Sequence, residues 1–96
     1  MYRQGDLLLQ NIDKIPKGTN LVKDNIVLRG EVTGHAHRVQ NGKLRKDKNG
    51  LMFIDAGKIT MLIHEEHNPI RLPEGKYAVI RQREYTGKDM VRVVVD

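Results

Sequence analysis

Apolar and polar residues alternate with a period of two along most of this chain, the spacing at which successive side chains leave opposite faces of a strand. Eight runs carry the pattern: Asp6 to Asn11, Asn25 to Arg29, His35 to Gln40, Lys43 to Lys48, Leu51 to Ala56, Ile59 to His64, Lys76 to Glu84 and Met90 to Val95. No window of helical length sets apolar residues at i, i+3, i+4 and i+7. The pattern predicts an all-β protein of at most eight strands.

Turn residues divide the middle of the chain. "VQNGKL" and "DKNGLM" each place Asn-Gly between extended runs, the dipeptide that best tolerates the two positive φ angles of a type I′ hairpin turn. "DAGKIT" offers a third turn at Gly57-Lys58, where glycine suits the first position of type II′. Together they predict a four-stranded hairpin meander from His35 to His64. "LPEGKY" reads as a further turn, with Pro73 fixing φ and Gly75 able to go left-handed, and residues 17 to 23 read as loop.

Length limits this to a single domain over residues 1–96, near the lower end of what can bury a self-sufficient core. With only one phenylalanine, three tyrosines and no tryptophan, the core must rest on Leu, Ile, Val and Met, which leaves room for help from a metal or a second copy of the chain. The absence of cysteine excludes disulfides, thiolate metal ligands and a cysteine nucleophile, and the absence of serine excludes serine catalysis. No apolar run reaches the ~20 residues of a membrane span, and "MYRQGDLLLQNID" lacks the parts of a signal peptide, so no membrane role and a cytoplasmic location are expected, in a bacterium or a phage-infected cell. The net charge of +5 admits nucleic acid as a partner.

The candidate chemistry lies in "GHAH" and "HEEH", which hold all four histidines of the chain. Residues i and i+2 of a strand share a face, so His35 and His37 form a chelating pair; His64 and His67 need a turn to meet. Any metal is held by nitrogen and oxygen, zinc first, with iron or nickel as alternatives. Four imidazoles would close a tetrahedral structural site, and three would leave a position open for catalysis or ligand capture. Two-residue turns at all three positions would place His35 and His64 in one row but three strands apart, about 14 Å at the usual ~4.8 Å strand spacing, too far for one ion. Either the sheet curls, a pairing differs, or the clusters bind separately. The same register sets Lys46 opposite His37, an awkward neighbour for a dication.

Paired histidines after a glycine-rich turn, followed by Pro-x-Gly, resemble the cupin pattern between Gly30 and Tyr77, although Asn41 and Gly42 stand where that pattern carries a glutamate. The resemblance implies a small β-barrel holding one divalent metal. The series "QGD", "GEVTGHAHRV", "HEEHNPI", "LPEGKY" and "QREY" is similar, over the whole chain, to a group of small uncharacterised bacterial and phage proteins, which implies no activity.

Glu66 and Glu31 are the candidates for a general base on metal-bound water, with Glu31 an alternative ligand; Glu65 and Glu66 also suit a solvated pair at a strand end. Lys43, Arg45, Lys46 and Lys48 mark a basic hairpin. Arg81 and Arg83 follow Tyr77 and Val79 on one strand face, where they either bind an anion or mark the strand's exit from the core. The expectation is therefore an all-β fold, a small antiparallel barrel or curled sheet, cupin-like, with a divalent metal at His35, His37, His64 and His67. A metal-dependent hydrolase or ligand-sequestering accessory protein follows, with a small-molecule ligand and a homodimer as possible partners. The alternative is a basic nucleic-acid- or protein-binding module contacting its partner through Lys43, Arg45, Lys46, Arg81 and Arg83.

Overall fold

Strands occupy most of the chain, as period-two burial requires, in the computed structural model, which describes residues 1–30, 34–81, 84–86 and 90–92. They are β1 (Tyr2–Gln4), β2 (Leu7–Ile12), β3 (Asn20–Leu21), β4 (Ile26–Arg29), β5 (Ala36–Lys46), β6 (Met52–Ile63), β7 (Ile70–Arg71), β8 (Gly75–Arg81), β9 (Glu84–Thr86) and β10 (Met90–Arg92). The first eight form one antiparallel sheet in the order β1-β2-β8-β6-β5-β3, with β4 added on β5 and β7 on β6; β9 and β10 pair with each other. No helix among the described residues is long and apolar enough to cross a membrane.

The predicted four-stranded meander is two long strands. Of the three expected turns only the middle one reverses the chain, and there Asp47 lies opposite Leu51 around a three-residue loop ending in Gly50 at φ 88°. Asp47 caps that loop, its Oδ1 accepting from the N–H groups of Asn49 and Leu51 at 2.8 and 2.9 Å. Asn41-Gly42 and Gly57-Lys58 instead face each other across a bulge, where pairing jumps from Gln40↔Met61 to Gly42↔Ala56. Asn41 takes the left-handed φ of 60° that Asn-Gly favours, but the strand runs on.

Gly42 is needed here for close approach. A Cβ on it would stand 2.7 Å from Thr60 Cγ2 and 2.9 Å from Thr60 Oγ1. Thr60 is fully buried and pinned, donating to the Asn41 carbonyl at 2.6 Å and accepting from Gly57 N–H at 2.8 Å. The bulge divides β5 and β6 into two ends. One, Gly42 to Lys46 against Met52 to Ala56, is flanked by β3 and β8; the other, Arg38 to Gln40 against Met61 to Ile63, is flanked by β4 and β7.

Leu7, Leu9, Leu44, Ile54, Leu62, Leu72 and Tyr77 form the core. The Tyr77 ring meets Tyr2 edge-on at 5.9 Å, and its hydroxyl donates to the Pro73 carbonyl at 2.6 Å. The sheet does not close into a barrel. It curls, so that Gln4 on edge strand β1 reaches over the far end of β6 and donates to the carbonyls of Leu62 and Asn68.

Candidate functional site

Merging four predicted strands into two removes the 14 Å gap between the histidine clusters. Arg38 pairs with Ile63, and one further step along that register sets His37 opposite His64. His35 lies just before β5, and the turn after β6 returns His67 to the same place. All four rings meet. His64 is the hub, with ring centroids 4.3 Å from His37, 4.5 Å from His67 and 5.7 Å from His35, while His37 and His67 lie parallel at 5.9 Å. His37 is fully buried, His64 is 9% exposed, and the other two are half-buried. Lys46 sits beyond the bulge, paired with Met52 and not with the histidines.

Polar neighbours hold three of the rings by Nδ1. The Gln4 amide, 3% exposed, donates through Nε2 to two carbonyls, so its Oε1 must face His37 and accept from Nδ1–H at 2.8 Å. Glu66 Oε1 stands 3.1 Å from His35 Nδ1, the position of an orienting partner. His64 Nδ1 has the opposite role: it accepts from the backbone N–H of Glu66 at 3.0 Å and of His67 at 3.4 Å. Among the described residues, no three His, Asp or Glu side chains are yet gathered into a set able to hold one ion.

Glu65 is no merely solvated carboxylate. It accepts from Ala36 N–H at 2.9 Å and pairs with Arg38 at 3.3 Å, fastening the turn after β6 to the start of β5. The Ala36 N–H, then the residue's own N–H and the Arg38 guanidinium, hold its carboxyl at about 2, down from the usual 4.5.

Two residues outside the expected set complete the cluster. Gln4 is one; Asp6, 4% exposed, is the other, with Oδ1 3.6 Å from His37 Nε2. Gly5, at φ 58°, turns the chain between them. Sequence reasoning met "QGD" only as a shared motif and placed Asp6 as the first residue of a strand. The available signal was two polar residues astride a turn glycine, directly before three leucines.

A family model matches residues 3–82, a span that contains every residue of this cluster. The chain belongs to DUF8820, a domain of unknown function. No curated protein and no solved structure matches it.

Elsewhere in this DUF8820 domain, Lys43, Arg45 and Lys46 lie on β5 and Arg81 ends β8. Arg45 is turned to Thr19, donating to its hydroxyl at 2.8 Å and its carbonyl at 2.9 Å, so it ties a loop to β5. Lys43 is exposed opposite Asp55, and Lys46 is exposed at the end of β5. Burial along β8 falls from Tyr77, fully buried, to half-buried Val79 and Arg81, as in a strand leaving the core. Arg81 borders an apolar groove of about 500 Å³ lined by Leu7, Val27, Leu51 and Val79. Glu31 and Arg83 lie outside the described residues.

Proposed function

We propose that this DUF8820 domain is a cytoplasmic metal-binding accessory protein that takes a divalent cation, zinc first among the candidates, at the cluster of His35, His37, His64 and His67. One observation carries the reading: imidazoles from two separate segments meet in one largely buried cluster, with ring centroids 4.3 to 5.9 Å apart. Two imidazoles on one tetrahedral ion, each bound at about 2.0–2.1 Å, have centroids roughly 5 Å apart. The observed spacings bracket that value. His35 and His37 are each oriented through Nδ1 by a carboxylate or an amide, which leaves Nε2 for an ion and is the usual support of a metal-bound histidine.

Because no three-donor set is yet gathered, entry of the ion must turn rings inward. An ion that keeps one position open lowers the pKa of bound water toward about 7, and the site could then support hydrolysis or capture a small ligand. The alternative of a nucleic-acid module draws less support, since Arg45 is committed to Thr19.

Stripping the protein with chelator and titrating zinc while following its melting temperature tests the proposal. Metal that binds only the folded chain stabilises it by about 2.7 kcal/mol at a hundredfold its Kd. For a domain of this size that is a rise of roughly 10–20 °C. His37→Ala should abolish the rise. A melt indifferent to zinc, iron(II) and nickel(II) rejects the reading.

A further inference from the structure

We propose that this domain carries a second site, a groove on the outer face of the sheet that takes a small phosphorylated ligand between Lys14, Lys17, Arg45 and Lys76. It stands independently of the metal-binding reading above.

Strand alternation places the site. Leu44, Ile54 and Tyr77 pair across β5, β6 and β8 and point into the core, so their neighbours along each strand leave the opposite face. There Lys43, Asp55 and Lys76 form one cross-strand row, and Arg45 and Phe53 pair in the next. Phe53 is 8% exposed yet stands outside the core cluster, so this outer face is covered there. The cover is the loop after β2. Arg45 fastens it, donating to the Thr19 hydroxyl at 2.8 Å and the Thr19 carbonyl at 2.9 Å, and Ile15 in the same loop is half-buried.

Between loop and strands lies a groove of about 450 Å³ whose lining includes Lys14, Ile15, Lys17, Arg45, Asp55 and Lys76. That volume is in the range of small-ligand sites, roughly 300–1,000 Å³. Four of these side chains are cationic and one is anionic. Asp55 pairs with Lys76 at 3.5 Å and offsets a single charge, and Asp13, beside Lys14 in the chain, is not on the described lining. Like charges drawn together from a loop and two strands repel, and a polyanion held among them removes that repulsion. A phosphate group brings about −1.5 to −2 charges at neutral pH and several acceptor oxygens for ammonium and guanidinium donors. The Thr19 bonds use two of the five N–H donors of the Arg45 guanidinium, so one side chain can both fasten the loop and face a phosphate.

The groove favours a small ligand over a nucleic-acid strand. Single strands are held by basic tracks with aromatic faces on which bases stack, and the aromatic ring of this face, Phe53, is already buried.

Pyrophosphate binding to chelator-treated protein tests the proposal, followed by phosphorus NMR and by Tm at constant ionic strength. Pyrophosphate should bind saturably and raise the Tm, whereas chloride at the same ionic strength should not. Lys17→Glu, at an exposed loop position, should weaken the pyrophosphate Kd by roughly tenfold or more. Lys58→Glu makes the same charge change at an exposed position off the groove lining and should leave the Kd nearly unchanged. Equal losses in the two variants would reduce the effect to general charge attraction and overturn the site, as would the absence of saturable binding. A short single-stranded oligonucleotide that binds and is not displaced by pyrophosphate also overturns it, in favour of nucleic acid. His37→Ala should bind pyrophosphate as wild type does; a loss there would place the anion at the histidines instead. If Lys17→Glu does not fold, Lys14→Glu takes its place with the same expected loss.

Discussion

The same two strands, β5 and β6, behave differently on either side of the bulge at Asn41. On one side they bury Leu44 and Ile54 with Tyr77 of the neighbouring strand; on the other, beside Val39 and Leu62 of the same core, they also bury His37 and His64. Strand geometry is shared, so the difference lies in what burial demands. An apolar side chain needs only well-packed neighbours, whereas a buried polar atom left unsatisfied costs about 1–3 kcal/mol. The apolar end is completed within the sheet, by β8 beside β6 and by β2 beyond β8. The histidine end must recruit partners from elsewhere: Gln4 and Asp6 from the β1–β2 turn, Glu65 and Glu66 from the turn after β6. Cores can be local to a sheet, but buried polar clusters draw on the whole curl of the chain.

The sharpest break in this comparison is a cavity confined to the apolar end. Ile54→Ala, at a fully buried position, should cost about 2–5 kcal/mol, a fall in Tm of more than about 10 °C, while the four histidine ring resonances stay in place. Thermal melts and histidine NMR of the variant check it. Displacement of the histidine signals would mean that the two ends are one packed unit.

A smaller effect should couple the ends. Alanine at Gly42 pushes a methyl group against Thr60, whose side chain is bonded on both sides of the bulge and has nowhere to move. Gly42→Ala should cost about 1–3 kcal/mol, and unlike Ile54→Ala it should shift the histidine resonances as well as the Tm. A variant that melts like wild type would show that the bulge has slack.

The bulge is also where sequence reasoning went astray, for a physical reason. Alternation of Leu, Ile and Val located most of the strands, because period-two burial is a local property. Asn41-Gly42 announced a backbone able to take positive φ, and Asn41 does so at 60°. Hairpin turns and bulges both use that ability, and only the opposing strand decides between them. Gly42 and Gly57 were therefore misread, and the error placed His35 and His64 three strands apart. The four histidines were legible as a group by composition. Asp6 and Gln4 were not, because their burial depends on β1 curling over the end of β6, a contact 58 residues distant along the chain.

The gentlest test uses protons, and each end should answer at the opposite limit of pH. Glu65, at the histidine end, has its carboxyl lowered from 4.5 to about 2 by the Ala36 N–H. A depressed folded value means that the clamp contributes fully above pH 4.5 and is lost as pH falls toward 2. Tyr77, at the apolar end, has its phenol raised above 10.0, by burial first and then by Tyr2. A raised folded value means that its contribution is complete below pH 10.0 and is lost as pH rises beyond it. In chelator-treated protein, the Tm gap between wild type and Glu65→Gln should close between pH 4.5 and 2. Tyr77→Phe, which loses the bond to Pro73 and about 0.5–1.5 kcal/mol, should flatten the alkaline limb alone. Each variant is read against wild type at the same pH, so that only the change in the gap with pH counts. A Glu65→Gln gap that stays constant through acid would detach that carboxylate from the fold, and the histidine end would then depend on Gln4, Asp6 and Glu66.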